Sequence, residues 1–220
     1  MMIRMSELGA ARRGRTPSAD VERELLAAAE AVLVRDGPEG LTVRAVAAEA
    51  GIAPMGVYNR LGGKDGLVDA LLIRGFDRLG AALEAAMAGP PAADIPVRGT
   101  PGSDIAGRFF TCGLGYRTFA LANPHFYAIM FEKAIPREHH HNPDVEEHAR
   151  ATFFALVRVV ELTAAAGVIA APDPLEAAQQ IWSAVHGAVS LELRGLVQTP
   201  DPERTYRDVL MTVVRGLAPS

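Results

Sequence analysis

The chain has 220 residues, 49% apolar and 22% charged, enough for one large domain or two small ones around a real hydrophobic core. That composition is close to the soluble globular average and far from that of a disordered chain. The longest stretch without a formal charge, Ala177–Leu191, is 15 residues and too polar to cross a bilayer. Cys112 is the only cysteine, which excludes an intrachain disulfide and a cysteine-based zinc site. Met1–Ala11 carries Arg4 and Glu7 where a signal peptide needs an apolar run, so a cytoplasmic protein with no membrane association is expected. The net charge of −4 argues against a nucleic-acid clamp built from the whole surface. Yet four early cations, Arg4, Arg12, Arg13 and Arg15, precede the first patterned segment of an otherwise acidic chain, which suggests one local anionic partner.

In chain order, residues 1–16 read as a flexible basic arm. Val21, Leu25, Ala28 and Val32 then form the stripe of a first helix. Residues 17–63 form one N-terminal unit, and 64–87 one long connecting helix. Residues 88–103, with Pro90, Pro91, Pro96 and Pro101, read as a linker or mobile loop. Residues 104–220 should hold about five helices: 105–122, 124–133, 143–167, 174–197 and 203–217. Thr16-Pro17, Asn123-Pro124, Asn142-Pro143, Asp173-Pro174 and Asp201-Pro202 each place a capping side chain before a proline suited to a first helical turn. No alternating run signals a strand, so the expected fold class is all-α.

Residues 42–61, TVRAVAAEAGIAPMGVYNRL, carry a mechanism. Thr42 can cap a short helix 43–50, Gly51 can end it with a positive φ, and Ile52 can plug the corner. Pro54 restarts a second helix, 54–60, with Val57 and Leu61 facing inward and Met55, Gly56, Tyr58, Asn59 and Arg60 facing outward. The small Ala47 lets the two helices cross closely. This is the pattern of a helix-turn-helix, and also of an ordinary helical hairpin.

The stretch from Val21 to Leu72, with TVRAVAAEAGI, Tyr58 and the following Lys64 and LVDALL, resembles the DNA-binding domain of the TetR family of bacterial transcriptional regulators. The resemblance implies a three-helix DNA-binding domain ahead of a helical ligand-binding and dimerisation bundle. It also implies double-stranded operator DNA, a small-molecule effector and a second copy of the chain as partners. Thr42, Tyr58 and Lys64 match positions that hold phosphates, and Arg44, Met55, Gly56 and Asn59 match positions that approach base edges. Arg12, Arg13 and Arg15 would enter a minor groove, meet phosphates or remain solvated. The chain departs from the family where it has Asn59-Arg60-Leu61 and Gly62-Gly63, which bears on operator preference rather than on fold.

In the C-terminal part, Phe109, Phe110, Tyr116, Phe119, Phe126, Tyr127 and Phe131 crowd between residues 105 and 131. They read either as a core seam or as a mainly apolar cavity, the usual form of a small-molecule site. The expected ligand-binding set is Phe109, Tyr116, Phe119, Phe126, Tyr127, Met130, Phe153, Trp182 and His186, with Ser183 beside them. No Arg or Lys cluster is present to neutralise a multiply charged compound. Residues 116–136 and the Trp182–Gly187 segment resemble a C-terminal ligand-binding domain with a Trp-His-Gly motif, found in one branch of the same family. In that resemblance the last two helices pair with those of a second subunit, and Ala184, Gly187, Ala188 and Gly195 would permit close approach. His186 reads equally as a structural histidine with a hydrogen-bond partner.

Two other readings compete with a ligand-responsive repressor. One is a helical scaffold without a ligand. The other is a metal-dependent hydrolase using His139–His148, where Glu138 and three histidines precede Asp144, Glu147 and His148. Consecutive loop histidines rarely converge on one ion, and no nucleophile elbow or phosphate loop is present, so no metal, cofactor or enzymatic activity is expected.

Overall fold

The computed structural model describes residues 18–92, 102–132 and 142–219, and no strand occurs among them. The predicted basic arm, including Arg12, Arg13 and Arg15, lies outside the described residues, as does the His139–His141 run.

The N-terminal unit forms because three amphipathic helices share one core. Helix α1 (Ser18–Gly40) buries Leu25, Ala28, Ala29, Val32 and Leu33, and its regular part breaks where Gly37 turns to φ 71° ahead of Pro38. Helices α2 (Val43–Glu49) and α3 (Pro54–Leu61) add Val46, Ala47 and Val57. Each of the leucine and valine side chains contributes about 1.5–3 kcal/mol when taken fully from water, and each alanine about a third of that.

Helix α4 (Lys64–Ala88) joins two cores. Its first half, Leu67 through Phe76, packs in the N-terminal core, whereas Leu79 and Leu83 pack in the C-terminal one. Arg78 and Arg74 of α4 clasp Glu30 of α1, Arg78 through two hydrogen bonds.

The C-terminal bundle consists of α5 (Ser103–Ala122), α6 (Pro124–Tyr127), a π-helical turn (Ala128–Glu132), α7 (Pro143–Ala165), α8 (Pro174–Leu193) and α9 (Pro202–Gly216). Asn142, Asp173 and Asp201 cap their helices as expected, each accepting from a backbone N–H at 2.9–3.1 Å. Asn123 does not. Its amide donates backward to the Phe119 carbonyl at 2.9 Å and closes α5 instead of opening α6.

Helix α8 also stops at Leu193 rather than at 197. Gly195 takes φ 66°, and the Leu196 N–H returns to the Leu191 carbonyl at 2.9 Å, a glycine termination that satisfies the last carbonyls. Gly195 therefore ends the helix. The beginning of the expected mobile loop is tied down as well. Ala92 donates to the Gly107 carbonyl, and Arg108 donates to the carbonyls of Met87 and Gly89.

The short segment α6 with its π turn bridges the two cores. Consecutive helical residues point about 100° apart, so Phe126 enters the N-terminal core and Tyr127 the C-terminal one. Arg78 lies 5.2 Å over the Phe126 ring.

Candidate functional site

The helix-turn-helix owes its shape to a few local events. Thr42 Oγ1 accepts from the Ala45 N–H at 3.1 Å and starts α2. Gly51 takes φ 66°, and the Ile52 N–H returns to the Ala47 carbonyl at 3.0 Å. Pro54 opens α3, and Gly62 ends it at φ 73°. The next turn is held by contact rather than by capping. A Cβ placed on Gly66 would lie 1.6 Å from the Leu61 carbonyl oxygen, so only glycine lets α4 start against the end of α3. Gly63, the second glycine of the pair that departs from the family pattern, takes φ 91° with ψ −147°, which side chains other than glycine rarely adopt, and the Tyr58 ring rests on it.

This packing leaves Thr42, Arg44, Met55, Tyr58, Asn59, Arg60 and Lys64 exposed on one side of the unit, with Met55 at 64% and Tyr58 at 55%. Met55 and Asn59 are four residues apart and share a face of α3. Gly56 differs from the open position expected. It is half-buried against Ile52, whose Cδ1 would be 2.7 Å from an added Cβ. Beside it, Glu22, Asn59 and Arg60 border a shallow polar depression between α1 and α3. Arg35, near the other end of α1, is engaged by Asp36 and Glu49.

The second site is inside the molecule. A cavity of about 330 Å³ lies among α4, α5, the π turn, α7, α8 and α9, within the range of ordinary small-molecule sites. Five residues expected to bind a ligand line it: Phe109, Tyr116, Met130, Phe153 and Trp182. Phe119, Phe126, Tyr127 and His186 do not. Phe119 is buried one turn beyond Tyr116, and Phe126 faces the other core. Tyr127 and His186 stand behind the wall. Ser183 is exposed and donates to the Gln179 carbonyl. Phe76, Leu79 and Leu83 of α4 were not anticipated, although their spacing is that of a helical stripe. Phe131 belongs to the aromatic crowd already visible in the sequence, and Leu210 comes from the last helix.

Among the described residues, no charged side chain lines the cavity. Burial pushes the Cys112 thiol up to about 11, so it behaves there as a small apolar group. Thr152 already has the carbonyls of Phe76 and His148 as partners. Gln179 also reaches the lining, its amide donating to Ser183 Oγ at 3.2 Å, and the other polar groups of the wall are Tyr116 and Trp182. Trp182 Nε1 donates to the Tyr116 hydroxyl at 3.3 Å, and His186 Nδ1 lies 2.9 Å from the hydroxyls of both Tyr116 and Tyr127. Burial raises the pKa of both tyrosines and lowers that of His186, the last opposed by the charge of Glu132. The lining and the groups behind it are thus neutral at pH 7.

The metal-dependent alternative gains nothing from this geometry. Among the described residues no group of three or more His, Cys, Asp and Glu is placed to hold an ion. His148, the described histidine of that region, pairs with Asp77 of α4 at 2.5 Å. No helix among the described residues is long and apolar enough to cross a membrane.

An exposed recognition helix on a three-helix unit, followed by a helical bundle with an apolar cavity, defines a helix-turn-helix transcriptional regulator. A family model described as bacterial regulatory proteins, tetR family, matches residues 25–71, and one described as Tetracyclin repressor-like, C-terminal domain, matches residues 109–213. The chain belongs to the TetR family of DNA-binding transcriptional regulators. An uncharacterized HTH-type transcriptional regulator of Mycobacterium tuberculosis is 26% identical over 185 residues, covering 84% of this chain and 76% of that protein. A solved protein of unknown function from Rhodococcus sp. RHA1 is 29% identical with a TM-score of 0.75, over 96% of this chain and 100% of the other. A TetR-family regulatory protein from Rhodococcus RHA1 shares the fold at 21% identity and a TM-score of 0.59, over 91% of this chain and 98% of its own.

Proposed function

We propose that this chain is a homodimeric, sequence-specific repressor acting in the bacterial cytoplasm. It leaves its operator when a small, neutral, mainly apolar molecule fills the cavity. One observation carries the reading: α4 walls the cavity with Phe76, Leu79 and Leu83 and, nine residues before Phe76, anchors the recognition unit through Leu67. A ligand that displaces α4 moves α3 with it. The separation of the two recognition helices in a dimer then no longer fits successive major grooves. A coupling of about 1–3 kcal/mol is enough for such a response.

On the DNA, Thr42, Tyr58 and Lys64 would hold phosphates, while Arg44, Met55 and Asn59 would face base edges with Gly56 close beneath. Asn59 suits adenine, and Met55 suits a thymine methyl. Thr42 keeps its own proton to give, since its cap only accepts. Arg12, Arg13 and Arg15 would add contacts ahead of α1. Dimerisation is assigned to residues 174–217. Leu175 and Leu191 are about half exposed on α8, and Gly187 has open space around it. The ligand is neutral because burying an unpaired phosphate or dicarboxylate in this lining would be very costly.

The test is selection of duplexes from a random pool by the purified protein, followed by a panel of aromatic compounds and nucleotides. A two-fold-symmetric operator bound by a dimer and released by an aromatic compound is the expected result. Failure to enrich any sequence would overturn the regulator reading. Release by charged nucleotides alone would overturn the apolar-effector part.

A further inference from the structure

The polar end of the cavity has more claimants than its one imidazole nitrogen can serve. In the ring plane, Nδ1 offers a single lone pair or a single N–H. Two hydroxyls, those of Tyr116 and Tyr127, lie 2.9 Å from it. The two tyrosines differ in what else they can reach. Tyr116 lines the cavity and accepts from Trp182, another wall residue. Tyr127 is fully buried outside the lining, on the segment that bridges the two cores. Its other partners are the Tyr116 hydroxyl and the His186 carbonyl, the latter at 3.4 Å. Stacking fixes the group: the Tyr127 and His186 rings are 5.4 Å apart and nearly parallel, and Phe131 meets both edge-on or tilted.

We infer that the effector is a neutral lipophile carrying one hydrogen-bond acceptor, such as a ketone or ester oxygen, and that Tyr116, His186 and Tyr127 report its arrival to the DNA-binding unit. This rests on the cavity being the effector site. An acceptor beside Tyr116 takes the hydroxyl proton that otherwise competes for His186 Nδ1. The freed nitrogen then belongs to Tyr127 alone, which draws α6 and its π turn toward α8. Phe126, the residue next to Tyr127, is seated in the N-terminal core under Arg78, and Gly37 at the end of α1 lies against His125. Movement of Tyr127 is therefore delivered to α1 and α4, the two helices on which the recognition unit is built. A hydrocarbon of the same shape would fill the cavity without moving that proton.

Benzophenone and diphenylmethane, the same frame with and without an acceptor, separate these effects. Trp182 is the only tryptophan, so its fluorescence reports occupancy, while anisotropy of a labelled selected operator reports release. The wild type should bind benzophenone about tenfold more tightly than diphenylmethane, and Tyr116→Phe should close that gap. Tyr127→Phe should bind benzophenone as the wild type does but lose at least about fivefold of the ligand-induced release. Where Tyr127→Phe melts early, His186→Phe interrupts the same relay and should show the same split. Equal wild-type binding of the two compounds overturns the acceptor. Undiminished release in both Tyr127→Phe and His186→Phe overturns the relay. If neither compound changes Trp182 fluorescence while operator binding persists, the cavity reading itself fails.

Discussion

In the N-terminal unit, Met55, Tyr58, Asn59 and Lys64 stand in solvent, while their chain neighbours Val57 and Leu67 are completely buried. In the C-terminal bundle, Phe109 and Tyr116 line the site and are themselves core residues. One unit keeps its chemistry outside a rigid frame, and the other keeps it in a gap in the frame. Substitutions should therefore separate binding from stability in the first unit and mix them in the second. The exposed side chains of Met55, Asn59 and Lys64 can vary without cost to the fold, whereas Thr42 also caps α2 and Gly56 packs against Ile52. A change in the cavity lining, by contrast, alters ligand choice, packing and the position of α4 together.

The largest expected effect breaks this contrast, because it strikes the N-terminal frame itself. Gly66→Ala places a methyl group into the Leu61 carbonyl, and α3 and α4 cannot both keep their positions. A loss of about 4 kcal/mol or more is expected. At about 2–4 °C per kcal/mol for a chain of this size, calorimetry should show it clearly, with operator binding abolished.

Next comes the frame of the other unit. Arg117 of α5 holds Glu192 of α8 through two hydrogen bonds of 2.8 and 2.6 Å, with both side chains about 15% exposed. Arg117→Ala leaves a largely buried carboxylate unpaired and should cost about 3 kcal/mol, the low end for such a pair because some solvent reaches it. Urea denaturation measures the loss.

Asn59→Ala sharpens the contrast. It should leave the melting temperature unchanged and alter preference at one or two base pairs by about 1–3 kcal/mol in competition binding. Tyr58→Phe should weaken all sequences alike, by about 1 kcal/mol, because only a phosphate donor is lost. A shift in Asn59→Ala stability instead would mean that the exposed face of α3 belongs to the frame as its buried face does.

The smallest effect is a pH dependence. The pKa of His186 in the folded chain lies below its ordinary value because burial disfavours the imidazolium. The unfolded chain therefore binds the proton more readily. Stability from this group is complete above the unfolded value of about 6.5 and is lost as pH falls through the folded value. Melting temperature should decline on acidification below about pH 6.5, and His186→Phe should flatten that decline.

The same contrast explains what was legible in the sequence. The helix-turn-helix was readable because Thr42, Gly51, Pro54 and Val57 act on neighbours within a few residues, and their structure follows the expected boundaries closely. The cavity lining draws on six helical segments spread from Phe76 to Leu210, and no local spacing declares which face of each segment turns toward the gap. Aromatic crowding pointed to the region of the cavity but not to the faces that line it. Phe126 and Tyr127 are adjacent in the chain and belong to different cores. Asn123 failed as an N-cap because its amide nitrogen donates back to the Phe119 carbonyl and its oxygen takes no N–H of α6. The end of α8 was placed too late because Gly195 was read for its size rather than for its positive φ.

Simultaneous titration of one sample most directly tests the central claim that cavity occupancy governs operator affinity. Trp182 fluorescence and anisotropy of the labelled operator should be followed as an aromatic effector is added. The account predicts that quenching and release share one midpoint, and that operator DNA in turn weakens the effector by the same factor. Quenching that saturates while the operator stays bound at full affinity would contradict it.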